Sequence, residues 1–157
     1  MVRSWDPNAF PNLTDDNHEI TSCYDTRYNC IAWAADETAV VWWPVDGDGV
    51  GWPPEAAIDD ESIWNFAVAF STLGYVECAN SSLEDGWEKV ALFAVLERGE
   101  LIATHAARQL EDGRWTSKLG DCEDISHTTL EAVCCKDYGV DLLYMKRRRD
   151  NKEKNNC

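Results

Sequence analysis

Leu101-Ile102-Ala103-Thr104-His105-Ala106-Ala107-Arg108-Gln109-Leu110, closed by Asp112-Gly113 and continued by Arg114-Trp115-Thr116-Ser117-Lys118, is the stretch from which the fold is read. Asp-Gly between two strand-like runs is a strong hairpin turn, because both central residues of the favoured tight turn take positive φ. Upstream, Lys89–Glu97 has the same character and is joined to Leu101–Leu110 through Arg98-Gly99-Glu100. Three consecutive antiparallel strands are therefore predicted.

Working outward, Ile63, Phe66, Ala67 and Phe70 fall at i, i+3, i+4 and i+7, with Asp59-Asp60 before them and Gly74 where a C-terminal cap belongs. This predicts a core-packing helix. Asn29 is a good N-cap for a second helix beginning at Cys30. Residues 1–28 read as irregular, and the glycine- and proline-rich segment 44–54 as a loop beside a cleft. After the hairpin, a short helix is expected between Ser126 and Gly139, then a last strand over Val140–Met145. The order gives an α+β domain over residues 1–145, with N-terminal helices on one side of an antiparallel sheet, and a flexible basic tail over 146–157.

The chain of 157 residues is long enough for one real core, and eight tryptophans with 45% apolar residues argue for a folded globule. Its net charge is −15. Residues 146–154 hold six of the fourteen basic side chains, so the body has eight bases against twenty-seven acids. Such a body repels nucleic acid and anionic lipid, and no nucleic-acid or membrane partner is expected. No apolar run approaches the roughly 20 residues needed to span a bilayer.

Seven cysteines are an odd number without framework spacing, and the N-terminus lacks a signal-peptide core, which implies free thiols in a reducing cytoplasm. Adjacent Cys134-Cys135 and the absence of a Cys-x-x-Cys pair do not suit a tetrahedral metal site. His18 with Cys23, or Cys122 with His127, would be improvised ligands. Neither a metal nor another cofactor is expected.

Tyr28-Asn29-Cys30-Ile31-Ala32-Trp33-Ala34 and Thr104-His105-Ala106 carry the chemistry. A thiol at a helix start faces unpaired N–H groups and the positive end of the dipole, which favours thiolate. A histidine beside it can take the thiol proton and later protonate a leaving group. Backbone N–H groups at the helix start can hold an oxyanion. A third polar residue should fix the imidazole tautomer.

This order resembles the papain-like cysteine hydrolases, in particular the compact NlpC-type endopeptidases and amidases, over residues 28–35 and 101–120. The tract Gly113–Gly120, with His127 shortly after, is also similar to uncharacterised bacterial proteins thought to be papain-like. The resemblance implies a papain-like minimal core, with Cys30 as nucleophile and His105 as base and acid. It places the third member on the second hairpin arm at Ser117, where the family usually has histidine, asparagine or glutamine. His127 is the alternative. The oxyanion glutamine of papain is absent, leaving Tyr24, Tyr28 or backbone amides. Tyr28, Asn29, Trp33 and Lys118 flank the pair as candidate substrate-binding residues. The implied activity is a thiol hydrolase (amidase, peptidase or deamidase) with a covalent acyl-enzyme and a peptide or amide substrate. The alternative is an inactive scaffold whose acidic body binds a basic protein.

Overall fold

A computed structural model describes residues 6–119 and 123–149. Seven strands form one sheet: β1 (His18–Ile20), β2 (Val76–Cys78), β3 (Trp87–Glu97), β4 (Glu100–Gln109), β5 (Trp115–Lys118), β6 (Asp124–His127) and β7 (Val140–Arg148). Their order across the sheet is β1-β6-β5-β4-β3-β7-β2, and every neighbouring pair is antiparallel. Among the described residues two short α-helices accompany it, α1 (Cys30–Ala34) and α2 (Ile63–Ser71). The architecture is mainly β, which overturns the expected α+β core of N-terminal helices.

The reasons are local. Asn29 caps α1 by accepting from the Ala32 amide at 3.0 Å. The helix then ends within two turns, because Asp36 takes φ +63° and the Glu37 amide closes back on the Ala32 carbonyl at 2.8 Å. The helix predicted after Ser126 is replaced by β6 and a 3₁₀ turn at Leu130–Val133. Ile125 and His127 alternate with Asp124 and Ser126 across from Lys118, Ser117, Thr116 and Trp115, so the segment completes a ladder. In the nominally irregular N-terminus, His18–Ile20 pairs with β6 as an edge strand.

Strand β7 continues past the expected boundary at Met145 to Arg148. Its basic residues meet fixed acids: Lys146 pairs with Glu84 and Arg147 with Glu88, each at 2.9 Å. Lys146 and Arg148 also lie over the Trp87 ring. Residues 150–157 of the expected tail are outside the described residues.

The core has two parts, because β3 is buried on both faces, as its continuous apolar run requires. Val90, Leu92 and Ala94 join Cys30, Ile31, Phe66, Phe70 and Trp42 under the helices. Ala91 and Phe93 join Trp115, Ile125, Leu130 and Val133 in the second cluster. Between them the β3–β4 register slips: Phe93 pairs with His105 and Ala94 with Ala103, leaving Thr104 as a bulge. Gly139 allows β7 to begin against this bend, since a Cβ there would stand 2.0 Å from the Ala94 carbonyl oxygen.

Candidate functional site

The bulge at Thr104 decides where the candidate residues point. Cys30, at the start of α1, brings its thiol to the β4 backbone and donates to the Thr104 carbonyl at 3.8 Å. Its side chain packs with Ala103, Ala106 and the other residues of the helix-side cluster. His105 packs instead among residues of the second cluster. Its ring meets Phe93 edge-on at 5.1 Å and stacks on Tyr138 at 4.1 Å, with 6° between the planes. No hydrogen bond joins the Cys30 thiol to the His105 ring; the thiol touches the backbone flanking His105.

The other two predicted residues come together with His105 in series. His105 Nε2 lies 3.0 Å from Ser117 Oγ, and Ser117 Oγ lies 2.8 Å from His127 Nε2. His127 Nδ1 is 2.7 Å from the Thr129 carbonyl oxygen. A carbonyl only accepts, so Nδ1 of His127 carries the proton and its Nε2 accepts from the Ser117 hydroxyl. Ser117, having given its own proton, must accept from His105, which therefore carries its proton on Nε2. Nδ1 of His105 is left as a buried lone pair with no partner. Ser117 and His127, alternatives for one role in the sequence, are consecutive links.

Burial sets the charge states. Desolvation pushes the Cys30 thiol up to about 11, against the opposing amides of Ala106, Ile31 and Cys30 itself and the nearby Lys118 charge. Desolvation likewise pushes His105 down to about 3, helped by His127. His127 is pushed down to about 4, again first by burial, with the Thr129 carbonyl pulling the other way and His18 adding to the depression. At neutral pH the resting site is a thiol beside neutral imidazoles.

The expected substrate contacts are engaged within the fold. Asn29 Oδ1 accepts from Ala32 and Trp42 amides, and its Nδ2 donates to the Trp42 carbonyl at 2.8 Å. Tyr28 donates to Asp124 at 2.6 Å, and burial followed by this bond pushes its hydroxyl up to about 12. Trp33 stacks on Tyr28 and donates from Nε1 to Thr116 Oγ1 at 3.0 Å. Lys118 is fully buried with its ammonium 4.6 Å from the Tyr28 ring. These residues form a wall beside Cys30, not an open groove.

Sequence reasoning missed Tyr138 and Thr129, and named His18 only as an improvised ligand with Cys23. Tyr138 reaches His105 through the Cys135–Gly139 turn, and its carbonyl accepts from Thr104 Oγ1 at 2.5 Å. The Tyr138-Gly139 pair was the one available signal. At the far end, His127 and His18 pair across β6 and β1 and help line a cleft of about 100 Å³ with Asp15, Asp16, Glu19 and Arg114.

Among the described residues no three His, Cys, Asp or Glu side chains converge as metal ligands, and no helix is long and apolar enough to cross a membrane. Cys122, the other half of the improvised pair with His127, lies outside the described residues. A family model described as a domain of unknown function, DUF7689, matches residues 19–146. No curated protein and no solved structure matches the chain.

Proposed function

The chain belongs to the DUF7689 family, a domain of unknown function, and we propose that it is a thiol hydrolase acting on an amide bond, with Cys30 as nucleophile and His105 as its base. The observation that carries this reading is the unpartnered Nδ1 of His105. Its other nitrogen is fixed by Ser117, and the Cys30 thiol lies against the backbone on either side of it. A buried imidazole acceptor without a donor is costly in an ordinary core. It suits a base kept in the tautomer that takes a thiol proton.

In the reaction, which requires the His105 ring to turn from Phe93 and Tyr138 toward the thiol, the Cys30 S–H proton passes to His105 Nδ1 while sulfur bonds to the substrate carbonyl carbon. The amides of Cys30, Ile31 and Ala106, which oppose the rise in the thiol pKa, are the candidate donors to the developing negative charge. Collapse breaks the C–N bond, and the amine leaves with the proton from His105. Water then attacks the thioester, giving its proton to His105, and the acid departs with the thiol restored. Cys30 is only 8% exposed, so substrate entry requires the Tyr28–Trp33–Lys118 wall to part.

The test is intact mass after treatment with iodoacetamide, comparing wild type, Cys30→Ala and His105→Gln. One adduct absent only in Cys30→Ala, and formed more slowly in His105→Gln, supports the reading. Equal labelling of wild type and Cys30→Ala refutes it.

A second reading, an acidic module binding a basic protein, is favoured by one specific feature. Residues 28–88 contain twelve acids and no Lys, Arg or His. Within them Trp64 and Val68, one turn apart on α2, are 60% and 42% exposed. If this reading holds, Trp64 emission shifts on adding a lysine-rich amphipathic peptide, and Trp64→Ala weakens its binding; an unchanged affinity excludes this surface.

A further inference from the structure

Asp124 holds an acceptor that the fold leaves unused, on the same face of the sheet as Cys30. Ser117 of β5 turns toward His105, so its neighbours Thr116 and Lys118 turn the other way, under α1. Thr116 Oγ1 accordingly accepts from Trp33 of α1 at 3.0 Å. Asp124 of β6 stands directly opposite Lys118 in the ladder and takes the Tyr28 hydroxyl on Oδ2 at 2.6 Å. The Ser22 hydroxyl donates to the same oxygen. Among the described residues no donor reaches the other oxygen, Oδ1, although Asp124 is 0% exposed. A carboxylate oxygen stripped of water and given no N–H or O–H is costly in a mere core.

Resting on the hydrolase reading above for the chemistry at Cys30, we propose that Asp124 Oδ1 receives the nitrogen of a primary carboxamide, so that the reaction is a deamidation. Asp124 is then the residue that determines specificity.

The ligand class follows from charge, reach and enclosure. Lys118 faces the same Tyr28 ring, its ammonium 4.6 Å from the centroid, so a cationic amine would add a second positive charge there. A carboxamide is neutral; it offers N–H to Asp124 and its carbonyl to the ammonium, which has three donors to share. The Lys118 charge also acts on the Cys30 thiol, opposing the rise that burial causes. Cys30 touches β4, Lys118 is on β5 and Asp124 on β6, three adjacent strands. From the first backbone to the third is about 10 Å. An N–H···O bond of about 2.9 Å, a C–N bond of about 1.3 Å and a carbon about 3–3.5 Å from sulfur span most of it. The Asp124 side chain covers the remainder. On the nitrogen side the path ends at Asp124, behind Ser22 and the buried Tyr28. A peptide continuing past that nitrogen has no exit, whereas ammonia needs none for a chain.

The step balances without a co-reactant other than water. Sulfur bonds to the carboxamide carbon as the thiol gives up its proton, the C–N bond breaks, and nitrogen leaves as ammonia carrying that proton. Water then cleaves the thioester to the acid and the thiol. Asp124 gives and takes no proton; it orients the nitrogen by accepting its N–H.

The experiment has two arms on the full-length protein. Iodoacetamide carries a primary carboxamide, and its N,N-dimethyl analogue has no N–H. Relative to the exposed Cys23 of the same molecule, Cys30 should prefer iodoacetamide by on the order of tenfold or more, read by peptide mass. Asp124→Asn should remove the preference. A wild-type Cys30 that reacts with the same ratio as Cys23 overturns the proposal and leaves the hydrolase reading standing.

In the second arm, Cys30→Ala protein with carbon-13 aspartate carboxyls is titrated with propanamide and with N,N-dimethylpropanamide. The Asp124 signal, identified by its loss in Asp124→Asn, should move with the first and not with the second. A signal indifferent to propanamide, or moved equally by both, overturns the proposal. If wild-type Cys30 reacts with neither iodo reagent, the hydrolase reading and the deamidation fail together, and the propanamide titration alone decides whether Asp124 is a carboxamide site.

Discussion

Acidification from pH 7 to pH 5 should destabilise this protein through His105 and His127. Both are neutral and buried, with folded-state values pushed down to about 3 and about 4 from 6.5. A group whose folded pKa is depressed contributes stability above its unfolded pKa and loses it as pH falls, because the unfolded chain takes the proton first. The window here opens near 6.5 and runs down toward the folded values. At pH 5 each unfolded histidine gains about 2 kcal/mol relative to pH 7, at 1.36 kcal/mol per unit, while the folded side chains remain essentially unprotonated. Together the pair should remove about 4 kcal/mol, a large part of the roughly 5–15 kcal/mol available to a domain. Urea denaturation followed by tryptophan fluorescence at pH 7, 6 and 5 measures this. His105→Gln keeps an N–H donor for Ser117 and does not titrate, so it should lose about half of the pH dependence. A wild-type loss below about 1 kcal/mol over this range, or a His105→Gln slope equal to wild type, would show that these side chains are not buried neutral.

Gly139→Ala should prevent normal folding, since φ is +70° and the new Cβ would collide with the Ala94 carbonyl; a melting temperature near wild type would refute the close approach. Asn29→Ala removes the cap of α1 together with two bonds to Trp42, and a loss of about 1–3 kcal/mol is expected in chemical denaturation. Glu88→Ala leaves Arg147 and Arg149 without their shared carboxylate and Tyr75 without its acceptor, so a similar loss is expected, reduced in Glu88→Gln. Phe70→Ala empties a fully buried site against Trp42 and Tyr75 and should cost about 3–5 kcal/mol by the same assay.

Local signals carried the sheet's centre and the second helix. Asp112-Gly113 and Arg98-Gly99 mark their turns; Gly99, Gly113 and Arg98 take positive φ, whereas Asp112 does not. Ile63, Phe66 and Phe70 are buried on one face of α2, as their spacing requires. The β6 error has a different origin. Asp124-Ile125-Ser126-His127 is too short for its period to be distinguished, and only the partner strand β5 makes it a strand. Lys146–Arg148 looked like a solvated tail because Glu84, Glu88 and Trp87 are distant in sequence.

For the site, the residue types and their order determined that Cys30, His105, Ser117 and His127 were the candidates. Ser117 entered only through the family resemblance, and the fold puts its hydroxyl 3.0 Å from His105 Nε2. Tertiary structure decided the rest. The bulge at Thr104 rotates His105 toward Phe93 and Tyr138, so the thiol reaches the backbone beside it and not its ring. A bulge is set by the pairing of two strands and by Gly139 closing against Ala94, relations that no single stretch of sequence contains. Burial also reversed the expected electrostatics: a helix start favours thiolate, but desolvation at this depth outweighs it and holds Cys30 protonated.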